Sequence, residues 1–265
     1  MPSAPNPSPP APFDALAASY DADFTASPLA RALRQRAHAR LLALVPPGGA
    51  ALDLGCGTGE DARALAGRGV RVTAADSSPV MRECATRKLS AFPAASVHAL
   101  DLNALPTSAL PGPYALAYAN FGVLNCVHDL RDMAAWLAAR VLPGGHLAFA
   151  VMGPFCLWET LWHGLHGAHG IARRRWRGQA HFRTPTGQIE LRYPTPRALT
   201  AAFAPAFRRT SLRPFGVFIP PSDVFPAIAR RPRLARMLTA LDARTAGLQP
   251  LAALADHYWI ELERV

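Results

Sequence analysis

The chain has 265 residues, half of them hydrophobic, and carries 28 Lys and Arg against 18 Asp and Glu, a net charge of +10. That apolar content excludes a wholly disordered chain, and the length is near the upper end for one α/β domain. Cys56, Cys84, Cys126 and Cys156 are scattered, which excludes a paired zinc or redox motif and points to a reduced, cytoplasmic protein.

Met1 to Pro12 is dominated by Pro, Ser and Ala, with no basic start and no apolar run. Neither a signal peptide nor an anchor is expected there, and a disordered tail over residues 1–12 is expected. From Phe13 to Leu44 the chain predicts leading helices, with Leu29, Leu33, Ala37 and Leu41 at helical spacing and Pro46-Pro47-Gly48-Gly49 ending them. Next, Ala51-Leu52-Asp53-Leu54-Gly55-Cys56-Gly57-Thr58-Gly59-Glu60-Asp61 joins a buried strand to a helix through three glycines at alternate positions. Glycines there let the backbone turn sharply and approach a ligand, and the helix presents unpaired N–H groups. Asp53, Glu60 and Asp61 crowd this end with carboxylates. They repel a pyrophosphate and favour a ligand with an ammonium or sulfonium. The dinucleotide fingerprint Gly-x-Gly-x-x-Gly also fails, since Glu60 stands where its last glycine belongs.

A second strand, Gly69 to Asp76, ends in an acid 21 residues after Gly55. Ser77 to Met81 opens a helix, with the apolar Met81 in its first turn. Ser96 to Leu102 is a third strand with a terminal Asp101-Leu102, Pro113 to Phe121 a fourth ending in Asn120-Phe121, and Leu142 to Ala150 a turn and fifth strand. These five features, in this order, resemble the class I S-adenosylmethionine-dependent methyltransferases. The resemblance implies S-adenosylmethionine as cofactor and an α/β, doubly wound, Rossmann-like sheet of seven strands in the order 3-2-1-4-5-7-6, strand seven antiparallel. It implies cofactor contacts from Asp53, Gly55, Cys56, Gly57, Gly59, Asp76, Ser77, Met81, Asp101, Leu102, Asn120 and Phe121. Asp101 would receive the adenine amino group, and Asn120-Phe121 would lie at the methyl-transfer centre. Similar enzymes use a leading segment with a Tyr-Asp pair as a flap, which makes Tyr20 of Tyr20-Asp21 a further contact, with Arg31 or Arg34 as a partner of the methionyl carboxylate.

One domain over residues 13–265 is expected, divided into a helical flap at 13–47, a cofactor-binding core at 48–152, and insertions at 153–195 and 220–253 near the acceptor. Asn103 to His128 and Val141 to Trp158 hold no formal charge. Pro and Gly interrupt both, so they predict strands buried on both faces rather than membrane spans. His128, just after the fourth strand, is the candidate general base; its plain alternative is an exposed histidine at a helix start, with Asp129 as the cap. Trp158, Glu159, Trp162 and His163 are the candidate walls of the acceptor pocket, in an insertion after strand five that covers the substrate; core packing explains the two tryptophans equally well. His163, His166 and His169 follow three-residue spacing, which turns each side chain about 60° around a helix, and no metal site is expected.

Of the basic residues, 16 of 28 lie in 151–265 against 7 of the 18 acids. The cluster Arg173-Arg174-Arg175-Trp176-Arg177 can grip phosphate or a lipid headgroup, or form a solvated face. Gln179 to Tyr193 alternates around Pro185-Thr186-Gly187 as a hairpin does. Pro196 to Phe203 predicts a helix, Phe207 to Arg213 a strand, Leu234 to Leu248 a helix, and His257 to Glu263 alternates as an antiparallel edge strand does. The expected function is methyl transfer to a small-molecule acceptor. Nucleic acid is not the expected partner, since the fourth-strand motif Asn120-Phe121-Gly122-Val123 lacks the Asn/Asp-Pro-Pro-aromatic pattern of base-amine methylation. The alternatives are a nucleic-acid or lipid acceptor met through 173–177, with peripheral membrane contact, and a non-catalytic cofactor-binding partner protein.

Overall fold

A computed structural model describes residues 13, 14, 17, 20, 21, 27–106, 110–184 and 187–265; the tail expected over residues 1–12 lies outside the described residues. Helix α1 (Pro28–Leu44) starts where Ser27 accepts a hydrogen bond from the Leu29 N–H and Pro28 fills the first turn, and it buries Leu29, Leu33, Ala37 and Leu41. The main sheet contains the parallel strands β1 (Ala50–Leu54), β2 (Arg71–Asp76), β3 (Ser96–Ala99), β4 (Tyr114–Ala119) and β5 (Val141–Met152). Strands β8 (Phe207–Phe215) and β9 (His257–Arg264) complete it in the order β3-β2-β1-β4-β5-β9-β8, with β9 antiparallel to both neighbours. This is the expected 3-2-1-4-5-7-6 arrangement.

Helices cover both faces. Helices α1, α2 (Glu60–Ala66), α8 (Phe225–Ala229) and α9 (Pro232–Thr245) pack on one face, and α4 (Leu130–Ala138) and α7 (Pro196–Phe203) on the other. The last strand is not the edge that its alternation suggested. Strand β9 lies between β5 and β8, so Trp259 enters one core while Tyr258, Ile260 and Leu262 enter the other. A period of two cannot distinguish a half-exposed strand from one whose two faces meet different cores. Among the described residues no helix is long and apolar enough to cross a membrane.

Helix α1 is also fixed by charge. Arg40 makes two bonds to Glu261, at 2.8 and 2.6 Å, Arg36 pairs with Asp242, and Arg34 and His38 meet Asp61 at 2.6 and 2.7 Å. Helix α3 (Pro79–Leu89) follows β2. Beyond β5 come α5 (Leu157–Leu165), α6 (His169–Ala172) and a separate antiparallel hairpin, β6 (Gln179–Thr184) and β7 (Gly187–Arg192). Thr184 pairs with Gly187 at its tip.

Candidate functional site

At the end of β1 the chain turns through Gly55, Gly57 and Gly59, all with positive φ. Gly55 is required by packing as well as by its φ of +64°, because a Cβ would stand 2.6 Å from Val123. Gly57, at +53°, faces open space, with no atom within 4 Å of where its Cβ would be. Asp76, the last residue of β2, accepts the N–H groups of Gly57 and Ser78, each at 2.9 Å. Burial pushes its carboxyl upward, against those two donors. Ser78 caps α3 by accepting the Met81 N–H, and Met81 is buried.

The loop opens on a cavity of about 590 Å³ at the carboxyl end of the parallel strands, where ligands of doubly wound sheets bind. It is lined by Gly55, Gly57, Asp76, Ser77, Met81 and the segment Leu100–Asn103, by Phe121 and Gly122, and by Phe182, Ile189, Leu191 and Tyr193 of the hairpin region. Phe121, with φ of 55°, is the only non-glycine with positive φ among the described residues, so backbone strain is kept where β4 meets the cavity. Arg34 reaches in from α1, over the Phe121 ring at 4.7 Å, and its buried Nε has no partner among the described residues.

Beneath this end lies Asp61, which receives Arg34, His38 and Asn120. Burial alone would raise its pKa, but Arg34 and His38 more than offset that and hold it well below the usual carboxylate range. A carboxyl depressed in the folded state stabilises fully above its unfolded pKa of about 3.9 and loses that contribution as pH falls. The melting temperature should therefore decline between about pH 5 and pH 2, and Asp61→Asn should flatten the decline. An unchanged slope in the variant would remove Asp61 from the acid response.

Of the residues expected to contact the cofactor, Tyr20, Gly55, Gly57, Asp76, Ser77, Met81, Asp101, Leu102 and Phe121 line the cavity. Asp21, next to Tyr20, takes the Thr58 hydroxyl at 2.7 Å and the Lys88 ammonium at 2.5 Å, which ties the leading segment to the glycine loop. Asp53, Cys56, Gly59 and Asn120 are behind the lining. Asp53 is buried beside Tyr118, and desolvation with Asp61 nearby pushes its carboxyl far up. Burial raises the Cys56 thiol, the Cβ position of Gly59 faces Ala85, and Asn120 donates to Asp61 at 2.9 Å.

The expected acceptor residues are placed otherwise, and none of the four lines the cavity. Glu159 is 1% exposed and holds Arg174 and Arg175; Trp158 donates to the Phe218 carbonyl. The Trp162 ring lies 4.4 Å from His166, and His163 meets Asp223 at 2.7 Å. His163 and His166 are thus drawn to different partners, and among the described residues no group of side chains is arranged to hold a metal. His128 is exposed and outside the cavity; its N–H donates to Asn103 and its carbonyl accepts from Arg192, while Asp129 caps α4. The arginine cluster is not one phosphate-gripping face. Arg174 and Arg175 turn inward onto Glu159 and line the cavity, leaving Arg173 and Arg177 exposed. The sequence reading missed Phe182, Ile189 and Leu191, as well as Phe225, Asp256 and His257, all of which line the cavity. The predicted hairpin was the available signal for the first three.

A family profile described as "Methyltransferase domain" matches residues 27–206. An uncharacterized methyltransferase of Mycobacterium tuberculosis is 35% identical over 156 residues, covering 57% of this chain and 77% of the relative. A malonyl-[acyl-carrier protein] O-methyltransferase of Salmonella typhimurium is 38% identical over 104 residues, 38% of each chain. Among solved structures, the CcbJ methyltransferase of Streptomyces caelestis shares the fold, with a TM-score of 0.62 at 16% identity, over 98% of this chain and 99% of that one.

Proposed function

Because the chain belongs to the class I S-adenosylmethionine-dependent methyltransferases, we propose that it methylates a small molecule enclosed between the glycine loop and the β6–β7 hairpin. The observation that carries this reading is the continuity of one cavity from Gly57 and Asp76 to the apolar wall of Phe182, Ile189 and Leu191. Its volume of about 590 Å³ suits a small-molecule site, and the engagement of Arg174 and Arg175 by Glu159 leaves only Arg173 and Arg177 of the cluster exposed to a phosphate backbone.

The residues present fit the cofactor. Gly57 leaves an open cradle, Arg34 offers a buried unpaired Nε to a carboxylate, and Asp76 and Asp101 line the side expected to receive ribose and adenine. S-adenosylmethionine supplies a methyl group on a sulfonium, a leaving group that needs no acid. The chain therefore has to align the acceptor and exclude water. In this reading Asp76 fixes the ribose, Asp101 and Leu102 the adenine, Arg34 the methionyl carboxylate, and Tyr20 closes the flap. Residues 48–152 form the cofactor core, while 153–195 and 220–253 contribute the acceptor side through the hairpin and through Ser222, Asp223 and Phe225. All four cysteines are free thiols, which fits a reducing cytoplasm.

Incubation with a metabolite extract and S-adenosylmethionine should yield a small molecule heavier by one methylene. RNA should not bind at physiological salt, and submicromolar RNA affinity would count against this reading. Gly57→Ala puts a methyl into open space, so the expected stability cost is only left-handed strain, about 1–2 kcal/mol. Calorimetry should show cofactor affinity reduced at least about tenfold. Parent-like affinity in that variant would mean the loop is not the cradle.

A further inference from the structure

The cavity carries a histidine that no hydrogen bond explains. His257 opens β9, and because β9 runs antiparallel its first residue stands at the edge where the parallel strands finish, opposite Met152 of β5 and Phe215 of β8. Its side chain is 10% exposed and lines the cavity, with its ring edge-on to Phe121 at 6.1 Å. Nε2 is buried with no partner among the described residues. Asp256 Oδ2 lies 3.0 Å from Nδ1, at ion-pair distance though without the alignment of a hydrogen bond. A buried polar atom left unpaired is uncommon and is satisfied when a ligand supplies the partner.

We propose that His257 is the general base of the transfer and that the acceptor presents a hydroxyl to it, so that the methylated atom is oxygen. The inference rests on the small-acceptor reading above and names the chemical class of that acceptor. Its support is positional: His257 shares the cavity with the hairpin wall and touches Phe121, the strained residue at the end of β4. Asp256 is held in place by Arg175, which gives Nη2 to Oδ1 at 2.6 Å and Nη1 to the backbone carbonyl at 2.7 Å; Oδ2 remains for the imidazole. Burial alone would raise the Asp256 carboxyl, but His257, once protonated, and Arg175 hold it well below the carboxylate range. A lasting negative charge therefore stands behind the ring as it takes a proton.

Of the other titratable groups lining the cavity, Asp76 and Asp101 are assigned to the cofactor, and the rest are poorer bases. Burial pushes the Cys126 thiol up to about 11 and also raises Tyr20 and Tyr193, so all three stay protonated at neutral pH. Asp223 is engaged by His163. In the step, the hydroxyl proton passes to Nε2 while an oxygen lone pair forms the new bond to the methyl carbon. The methyl–sulfur bond breaks with its electron pair remaining on sulfur, leaving S-adenosylhomocysteine, a methyl ether and an imidazolium.

The test uses 4-nitrophenol, whose phenolate absorbs where the neutral dye does not. Protein loaded with S-adenosylhomocysteine should bind the dye with enhanced phenolate absorbance just below its solution midpoint. His257→Phe, which keeps a ring against Phe121, should lose that enhancement. With S-adenosylmethionine, 4-nitroanisole should form about a hundredfold more slowly in His257→Phe, with cofactor affinity within about twofold of the parent. Added imidazole should restore part of the rate to His257→Ala. Equal rates in parent and His257→Phe, no ionised bound dye in the parent, no imidazole rescue in a folded variant, or preferential methylation of 4-nitroaniline would each overturn the proposal. A parent that does not bind S-adenosylmethionine at all would overturn the methyltransferase reading instead.

Discussion

Replacing Glu159 with Ala is expected to lower folding stability by about 3–5 kcal/mol. Glu159 is 1% exposed and accepts Arg174 Nε at 3.0 Å, Arg174 Nη2 at 2.6 Å and Arg175 Nε at 3.1 Å. Its removal leaves Arg175, itself 2% exposed, with Asp256 as its remaining carboxylate, and leaves Arg174 with none. The expense of an unpaired buried charge exceeds the modest worth of the pair itself. Urea unfolding measures the change, and Glu159→Gln, which retains an acceptor oxygen, should recover part of it. A loss below about 1 kcal/mol would put the cluster in the class of surface salt bridges and return Glu159 to the acceptor candidates.

Asp76→Ala should weaken S-adenosylmethionine by about 1–3 kcal/mol, through loss of charge-assisted hydrogen bonds. The carboxylate also bridges the N–H groups of Gly57 and Ser78, so the variant loosens the glycine loop as well as losing a contact. Asp76→Asn keeps an acceptor oxygen and is expected to fall between the two. NADH is the control in the same calorimetric titration and should not bind appreciably, since Glu60 stands where the dinucleotide fingerprint needs its last glycine. Tight NADH binding without S-adenosylmethionine binding would overturn the cofactor assignment.

The first five strands and the glycine turn were legible because their determinants are local. Glycines at alternate positions, an acid ending β2 and uncharged runs for β4 and β5 each act within a few residues of chain, and the strand order follows from the family they resemble. The part of the chain after β5 depends on contacts that cross the chain. Arg175 looked like part of a solvated run because its partners, Glu159 and Asp256, stand 16 and 81 residues away. A tryptophan in an amphipathic helix does not reveal which neighbour its face meets, and for Trp158 and Trp162 it is the core. His257 escaped notice because its position at the cavity follows from β9 entering the sheet antiparallel between β5 and β8. His128 drew attention by closeness in sequence to β4, yet Asp129 starts α4 one residue later and keeps His128 outside the cavity.

The β6–β7 hairpin is a two-stranded sheet of its own, sharing no strand with the seven-stranded one. Over evolutionary time this separates two rates of change. Phe182, Ile189 and Leu191 can be exchanged, or the hairpin lengthened, without breaking a ladder bond of the main sheet or moving Gly57 and Asp76. On the proposed reading, a lineage built on this plan can adopt new acceptors by rewriting about a dozen consecutive positions, while the machinery proposed to hold the methyl donor is inherited unaltered.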